Sequence, residues 1–185
     1  MKNLSEWMLT TIREENNKIL LNSDWLEFDR FEWEGLLSRV ISFLLNEGTF
    51  LLCTDEKYDW FARYISINLN RIGENRPLIP VFLLKEILPN IAQFNASQNI
   101  NVIHDMLSLG FRKYAFWYVG NTNNPMGQLA LSKPQDSFFW IFDESIQSAL
   151  RLDSKDSMID YKLIQMYKIF EKALFGVIFG DIVIE

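Results

Sequence analysis

The segment Thr49-Phe50-Leu51-Leu52-Cys53-Thr54-Asp55 decides the fold. Gly48 leads into a short apolar run, and a Thr-Asp pair closes it. A run this short, without alternation of polar and apolar residues, suits a strand covered on both faces, as in a parallel sheet. A helical pattern follows at once, so strand and helix meet at a tight turn. In an open α/β sheet, ligands bind at such strand-end turns. Here the turn reads Cys53-Thr54-Asp55-Glu56-Lys57, with two carboxylates and no glycine.

Working outward, two more runs of the same kind appear at Tyr114–Val119 and Ser137–Phe142, with a short one at Ala149–Leu152. Leu78–Leu84 is a further strand, but Pro80 either demotes it to an edge or delays its start. Asn3 or Ser5 caps a first helix to about Leu21, with Leu4, Met8, Ile12 and Ile19 on one face. A second helix spans about Phe28 to Leu45 and is apolar beyond one stripe, with Gly48 at its C-cap. Asp55 caps a third helix whose stripe runs through Trp60 (or Phe61), Tyr64, Ile65, Asn68 and Leu69. Residues 71–76 form a loop. Lys85–Ala92 makes one or two turns interrupted by Pro89. Asn95–Asn101 is polar and reads as loop, and Val102–Leu109 as helix. The stretch GNTNNPMG at 120–127 is a loop signal with no helix expected after it. Leu129–Leu131 is a brief strand or a turn, and Asp143 caps a short helix. The last helix runs from Asp156 or Ser157 to about Phe179. Helices alternating with buried strands imply one doubly wound α/β domain with a mainly parallel sheet. Residues 1–46 form an N-terminal helical hairpin, and 47–185 hold the sheet and the final helix.

Composition narrows the function. The 185 residues include six Trp and fifteen Phe, which serve either the core or contacts between chains. A net charge of −6 argues against a broad nucleic-acid surface, which needs clustered Lys and Arg. The single cysteine, Cys53, excludes an internal disulfide and reads as a small hydrophobe. MKNLSEWM does not resemble a signal peptide, and no apolar run reaches the length of a membrane span. A cytoplasmic setting is expected.

Chemistry is sparse. A phosphate site on this fold requires a Gly-rich turn after a strand. None of the strand ends supplies one, so no cofactor is expected. One His (His104) and one Cys give no metal-ligand set, and His104 reads as an ordinary helix residue. Asp55-Glu56 and Asp143-Glu144 follow strands. They read as helix caps rather than as an acid/base pair. The last helix carries more information. Ile159, Leu163, Met166, Phe170, Ala173, Leu174 and Val177 form a broad core arc. Asp160, Gln165, Lys168, Glu171 and Lys172 form the solvated side. Ile164, Phe175 and Ile178 fall on that polar side, with Leu174 at the edge of the arc, and together they read as an outward patch for a partner.

Assembled in this order, several segments resemble the HobA family of initiator-associating proteins. These are KNLSEWM, Ser23–Glu27, Glu47–Leu52, FWYVG at 116–120, LSK at 131–133 and SFFWIF at 137–142. The strongest is DSMIDYKLIQMYKIFEKALF at 156–175. The resemblance covers essentially the full length. It implies a modified Rossmann fold like that of sugar-isomerase (SIS) domains, assembled as a homotetramer. It implies a non-enzymatic scaffold that binds the N-terminal domain of the initiator DnaA, orders DnaA molecules at the origin, and reaches DNA only through that partner. In DiaA-type relatives a Leu-Phe pair near the end of the last helix contacts DnaA, and Leu174-Phe175 match it. The rival reading is a sugar-phosphate-binding SIS-type isomerase or sensor. Thr54-Asp55-Glu56 lacks the Ser/Thr-rich loop that such a site needs.

Overall fold

In a computed structural model, residues 2–18, 25–26, 30–72, 76–93 and 96–184 are described. In chain order the elements are β1 (Lys2–Asn3), α1 (Leu4–Lys18), α2 (Arg30–Leu45), β2 (Thr49–Thr54), α3 (Asp59–Leu69), β3 (Val81–Leu83) and α4 (Leu84–Ile87). They continue with α5 (Ala96–Gly110), β4 (Tyr114–Gly120), α6 (Pro125–Leu131), β5 (Phe138–Phe142), β6 (Ala149–Leu152), α7 (Ile159–Ile178) and β7 (Ile182–Val183). Short 3-10 turns occupy Glu56–Tyr58 and Pro89–Gln93. The chain divides into two compact units, Phe43–Ile159, and Met1–Ser42 with Asp160–Glu185.

The first unit holds a five-stranded sheet of order β3-β2-β4-β5-β6, parallel throughout. Leu51 lies opposite both Phe82 and Phe116, and Val119 opposite Trp140. Alternate residues face opposite sides. Leu51, Cys53, Tyr114, Phe116, Tyr118, Phe139 and Ile141 enter one core cluster with Ile103 and Leu107 of α5 and Leu129 of α6. On the other face Trp140 meets Phe61 of α3 at 5.6 Å between ring centroids, and Phe142 stacks on Tyr58 at 4.4 Å. Helices therefore cover both faces, and the doubly wound α/β fold is present. Residues 50–53, 114–119 and 138–142 are all buried, which is why these runs show no alternation.

β3 starts after Pro80 and lies at the sheet edge, so both readings of that proline hold. Other expectations fail for local reasons. Asp55 makes no cap; a 3-10 turn intervenes before α3, and the apolar stripe runs through Phe61 while Trp60 stays exposed. Residues 96–101 belong to α5, although their polar composition hides the helical period. A helix, α6, does follow the 120–124 loop, and Leu129–Leu131 lie in it. Asp143 caps nothing. It adopts φ 63°, and its carboxylate accepts from the Ser154 N–H at 2.9 Å and hydroxyl at 2.6 Å. At the end of α2 the left-handed residue is Glu47 (φ 61°) rather than Gly48. Gly48 is needed because a Cβ there would lie 2.4 Å from the Phe43 carbonyl.

The second unit contains α1, α2, α7 and a two-stranded parallel ribbon of β1 with β7. The Asn3 side chain accepts from the Ser5 N–H at 2.7 Å at the start of α1. Leu4, Met8 and Ile12 are buried, as their spacing predicts. The expected run of α1 to Leu21 with Ile19 on its face, the break at 22–24 and the helix start near Phe28 fall outside the described residues. So do 73–75 of the expected 71–76 loop, and 94–95.

Helix α7 ends in a Schellman motif. The Asp181 N–H bonds the Gly176 carbonyl at 2.7 Å and the Gly180 N–H bonds Val177 at 3.1 Å, with Gly180 at φ 81°. This reversal returns Ile182, 2% exposed, onto Gly176, where a Cβ would sit 2.4 Å from its Cδ1. Replacing Gly180 with Ala forces a side chain into the left-handed region and should lower stability by about 1–2 kcal/mol in chemical denaturation.

Candidate functional site

Two regions bear on function: the crevice at the C-terminal ends of the strands, and the last helix. The crevice follows from topology. The chain runs from β2 outward to β3, then crosses to the other side of β2 to form β4. Strand order therefore reverses between β2 and β4, which leaves a gap beyond their carboxyl ends.

Asp55, just past β2, spans that gap. One of its carboxylate oxygens accepts from the Asn121 N–H at 3.1 Å, tying the end of β2 to the loop after β4. Tyr118 Oη donates to the Asn121 carbonyl at 2.5 Å and accepts from Asn124 Nδ2 at 2.8 Å. Asn124 is the N-cap of α6: its Oδ1 accepts from the Gly127 N–H at 2.8 Å, and Pro125 fills the first turn. A Cβ on Gly120 would lie 2.6 Å from Tyr118 Oη, and one on Gly127 the same distance from the Asn121 carbonyl, so both positions need glycine for close approach. Burial pushes the Tyr118 phenol well above its ordinary range. The hydrogen bond from Asn124 opposes that shift, and Asp55 and Cys53 add to it. Burial likewise drives the Cys53 thiol far up, so Cys53 is a neutral core group, as its apolar run predicts.

Beside this network lies a cavity of about 610 Å³. Leu52, Leu83, Leu84, Ile91 and Met126 form its apolar wall, and Thr54, Asp55, Glu56, Asp59 and Lys85 its polar end. Asp59 binds Lys85 Nζ and, at 3.2 Å, Arg63 Nε. Burial alone would raise the Asp59 carboxyl; the hydrogen bonds from Lys85 and Arg63 outweigh it and hold the group below the usual carboxylate range. The Gly127 N–H at the adjoining helix start is already taken by Asn124, so this N–H is not open to a phosphate. Glu144, at the end of β5, accepts from the Thr122 hydroxyl at 2.6 Å. The carboxylates expected as caps thus hold loops together instead. Among the described residues no three His, Cys, Asp or Glu converge to hold a metal ion.

His104 is more engaged than its sequence position indicates. Its Nδ1 lies 2.7 Å from Tyr114 Oη and its Nε2 2.7 Å from Ser132 Oγ. The Ser132 hydroxyl donates to the Leu129 carbonyl at 2.6 Å. Nε2 is therefore the donor to Ser132, and Nδ1 accepts from Tyr114. The imidazole ties α5 to β4 and to the end of α6.

The last helix departs from expectation. Leu174 is 0% and Phe175 6% exposed, so neither forms an outward patch. Ile164 and Ile178 are half-buried. The side taken as solvated is not uniformly so. Glu171 is buried, accepting from Tyr167 Oη at 3.3 Å and Lys168 Nζ at 2.8 Å, and Tyr167 is itself buried. Helical phase gives an angle around the axis but not which angles the rest of the chain covers. The Phe175 ring stacks on Phe179 at 6.1 Å, and Phe179 is exposed, at 57%. Sequence reasoning missed Phe179 because it treated that residue only as the end of the helix. It also missed Asn124, although Asn-Pro before a run of helix formers is a legible start signal.

Fold and crevice together define a doubly wound α/β protein whose strand ends carry acids and a loop-locking network instead of an anion-binding turn. A family model described as "HobA: DNA replication regulator" matches residues 1–184. The chain belongs to the HobA family of DNA replication regulators. It is 33% identical over 183 residues to the DNA replication regulator protein HobA of Helicobacter pylori (strain ATCC 700392 / 26695), covering 98% of this chain and 99% of that protein. It also superposes on H. pylori HobA in the crystal structure of a HobA-DnaA (domain I-II) complex. The TM-score is 0.77 at 34% identity, over 99% of each chain. For a crystal structure of HobA alone the TM-score is 0.74 at 32% identity, over 98% of this chain and 99% of that one.

Two measurements check this geometry. Phe175→Ala should cost about 3–5 kcal/mol of stability, the cost of a core aromatic. Burial chiefly, with Lys133 assisting and Asp105 opposing, lowers the His104 pKa from 6.5. The fold therefore favours neutral imidazole, and that contribution is fully present above pH 6.5 and declines as pH falls below it. The difference in melting temperature between the native chain and His104→Gln should accordingly shrink from pH 8 to pH 5.

Proposed function

We propose that this chain binds the N-terminal part of the DnaA initiator and regulates replication by holding DnaA molecules in a set arrangement. The observation that supports this most is the full-length structural likeness to HobA as crystallised with DnaA domains I-II. The reading is non-enzymatic. One Asp55 oxygen is bound to the Asn121 loop and Asp59 to Lys85 and Arg63, Cys53 is a buried thiol, and His104 is bonded through both ring nitrogens. A homotetramer would repeat one DnaA site four times, raising local DnaA concentration and fixing relative orientation. DNA would be reached through DnaA, consistent with the net charge of −6. The setting for such a role is the cytoplasm. Among the described residues no helix is long and apolar enough to cross a membrane.

The proposed contact retains the end of α7 but shifts the anchor. Buried Leu174 and Phe175 shape that end, while exposed Phe179 and half-buried Ile178 and Ile164 offer apolar surface. Titration calorimetry with the DnaA N-terminal domain, together with light scattering for the mass, tests the reading. Phe179→Ala should weaken binding by roughly 2 kcal/mol or more with an unchanged melting temperature. Undetectable binding by the native chain would refute the DnaA reading, and unchanged binding by the variant would remove Phe179 from the contact.

A further inference from the structure

We propose that the strand-end cavity is a binding site for a small organic amine carrying an apolar body. The cavity lies at the switch point of the sheet, where this architecture places ligands, and its volume of about 610 Å³ suits a small metabolite. Its walls are mainly aliphatic, from Leu52, Leu83, Leu84, Ile91 and Met126, so they favour an apolar body. The polar end decides the charge. Asp55, Glu56 and Asp59 face it against one cation, Lys85. Lys85 is already engaged with Asp59, as is Arg63 from the same helix. Asp55 and Glu56 have no cationic partner among the described residues. A second, independent feature points the same way. One Asp55 oxygen accepts from Asn121, while the other, Oδ1, is buried without a hydrogen-bond partner among the described residues. A buried acceptor left unmatched is costly, and an ammonium or hydroxyl donor brought near it would offset that cost. An anion would meet two carboxylates that have no cationic partner among the described residues, and the Gly127 N–H at the start of α6 is occupied by Asn124. The site is thus the electrostatic inverse of a sugar-phosphate pocket in the position where such pockets occur. This inference stands independently of the DnaA reading.

Three probes of similar size separate the possibilities: phenethylamine, 2-phenylethanol and phenyl phosphate. They are titrated into the full chain carrying 13C-methyl methionine. Among the described methionines Met126 alone lines the cavity, while Met8 and Met166 are buried in the other unit and report the integrity of the fold. Phenethylamine should shift the Met126 signal saturably and leave Met8 and Met166 in place, with the alcohol weaker and phenyl phosphate inert. Asp55→Asn with Glu56→Gln, which keeps an acceptor for Asn121, should weaken the amine about tenfold. Glu56→Gln alone, at an exposed position, gives a smaller loss in the same direction if the pair perturbs folding. Phenyl phosphate binding as tightly as the amine would overturn the proposal. So would an alcohol of equal affinity, an unmoved Met126 signal, or amine affinity unchanged in the variants.

Discussion

The structure depends on one requirement: the central strands β2, β4 and β5 must be shielded from water on both sides. Every side chain from Phe50 to Cys53, from Tyr114 to Val119 and from Phe138 to Phe142 is buried. No arrangement with a wet face accommodates such strands. Parallel pairing then demands a long crossover between neighbours, and the helices that supply the crossovers are also the cover. Cover and connection are one solution to one constraint. The aromatic content belongs to the same solution: Phe50, Trp117, Phe138 and Trp140 follow one another on a single face, with ring centroids 5.1–6.5 Å apart.

The reversal of strand order that closes such a sheet also opens a crevice, and here side-chain bonds have taken the place of a phosphate-binding backbone. Asp55 holds the loop after β4, Asn124 caps the following helix, and Tyr118 joins the two. These bonds tie the turn to the loop after β4, while Asp55 Oδ1 is buried without a hydrogen-bond partner among the described residues. The turn retains a cavity beside it, and the Gly127 N–H at the adjoining helix start is taken by Asn124. The chain that carries this turn belongs to a family of DNA replication regulators.

At the other end of the chain, a glycine determines what the last helix can show. With Gly180 in the left-handed region, the tail turns back, pairs as β7 with β1 and sets Ile182 against Gly176. Of the apolar residues that the helical wheel turns outward, Phe175 is buried and Ile164 and Ile178 are half-buried, while Phe179 just past the helix is exposed. The buried Leu174-Phe175 pair shapes the helix end on which Phe179 sits.

The apolar runs of this sequence specified their own strands, and the proline in Leu78–Leu84 marked an edge, because burial on both faces and a missing N–H are properties of the residues themselves. The absence of a glycine-rich turn after these strands was equally legible. The tertiary structure decided everything that depends on which surface a neighbour covers. Phe175 and Glu171 lie at helical angles that read as outward, yet both are enclosed. Asp55 and Asp143 sit where acids usually cap helices, yet each binds a loop distant in sequence. Periodicity reports a direction around a helix axis, and residue type reports a capacity for bonding. Only the folded chain, by bringing Asn121 to Asp55 and Ile182 to Gly176, determines what lies in that direction and which bond is made.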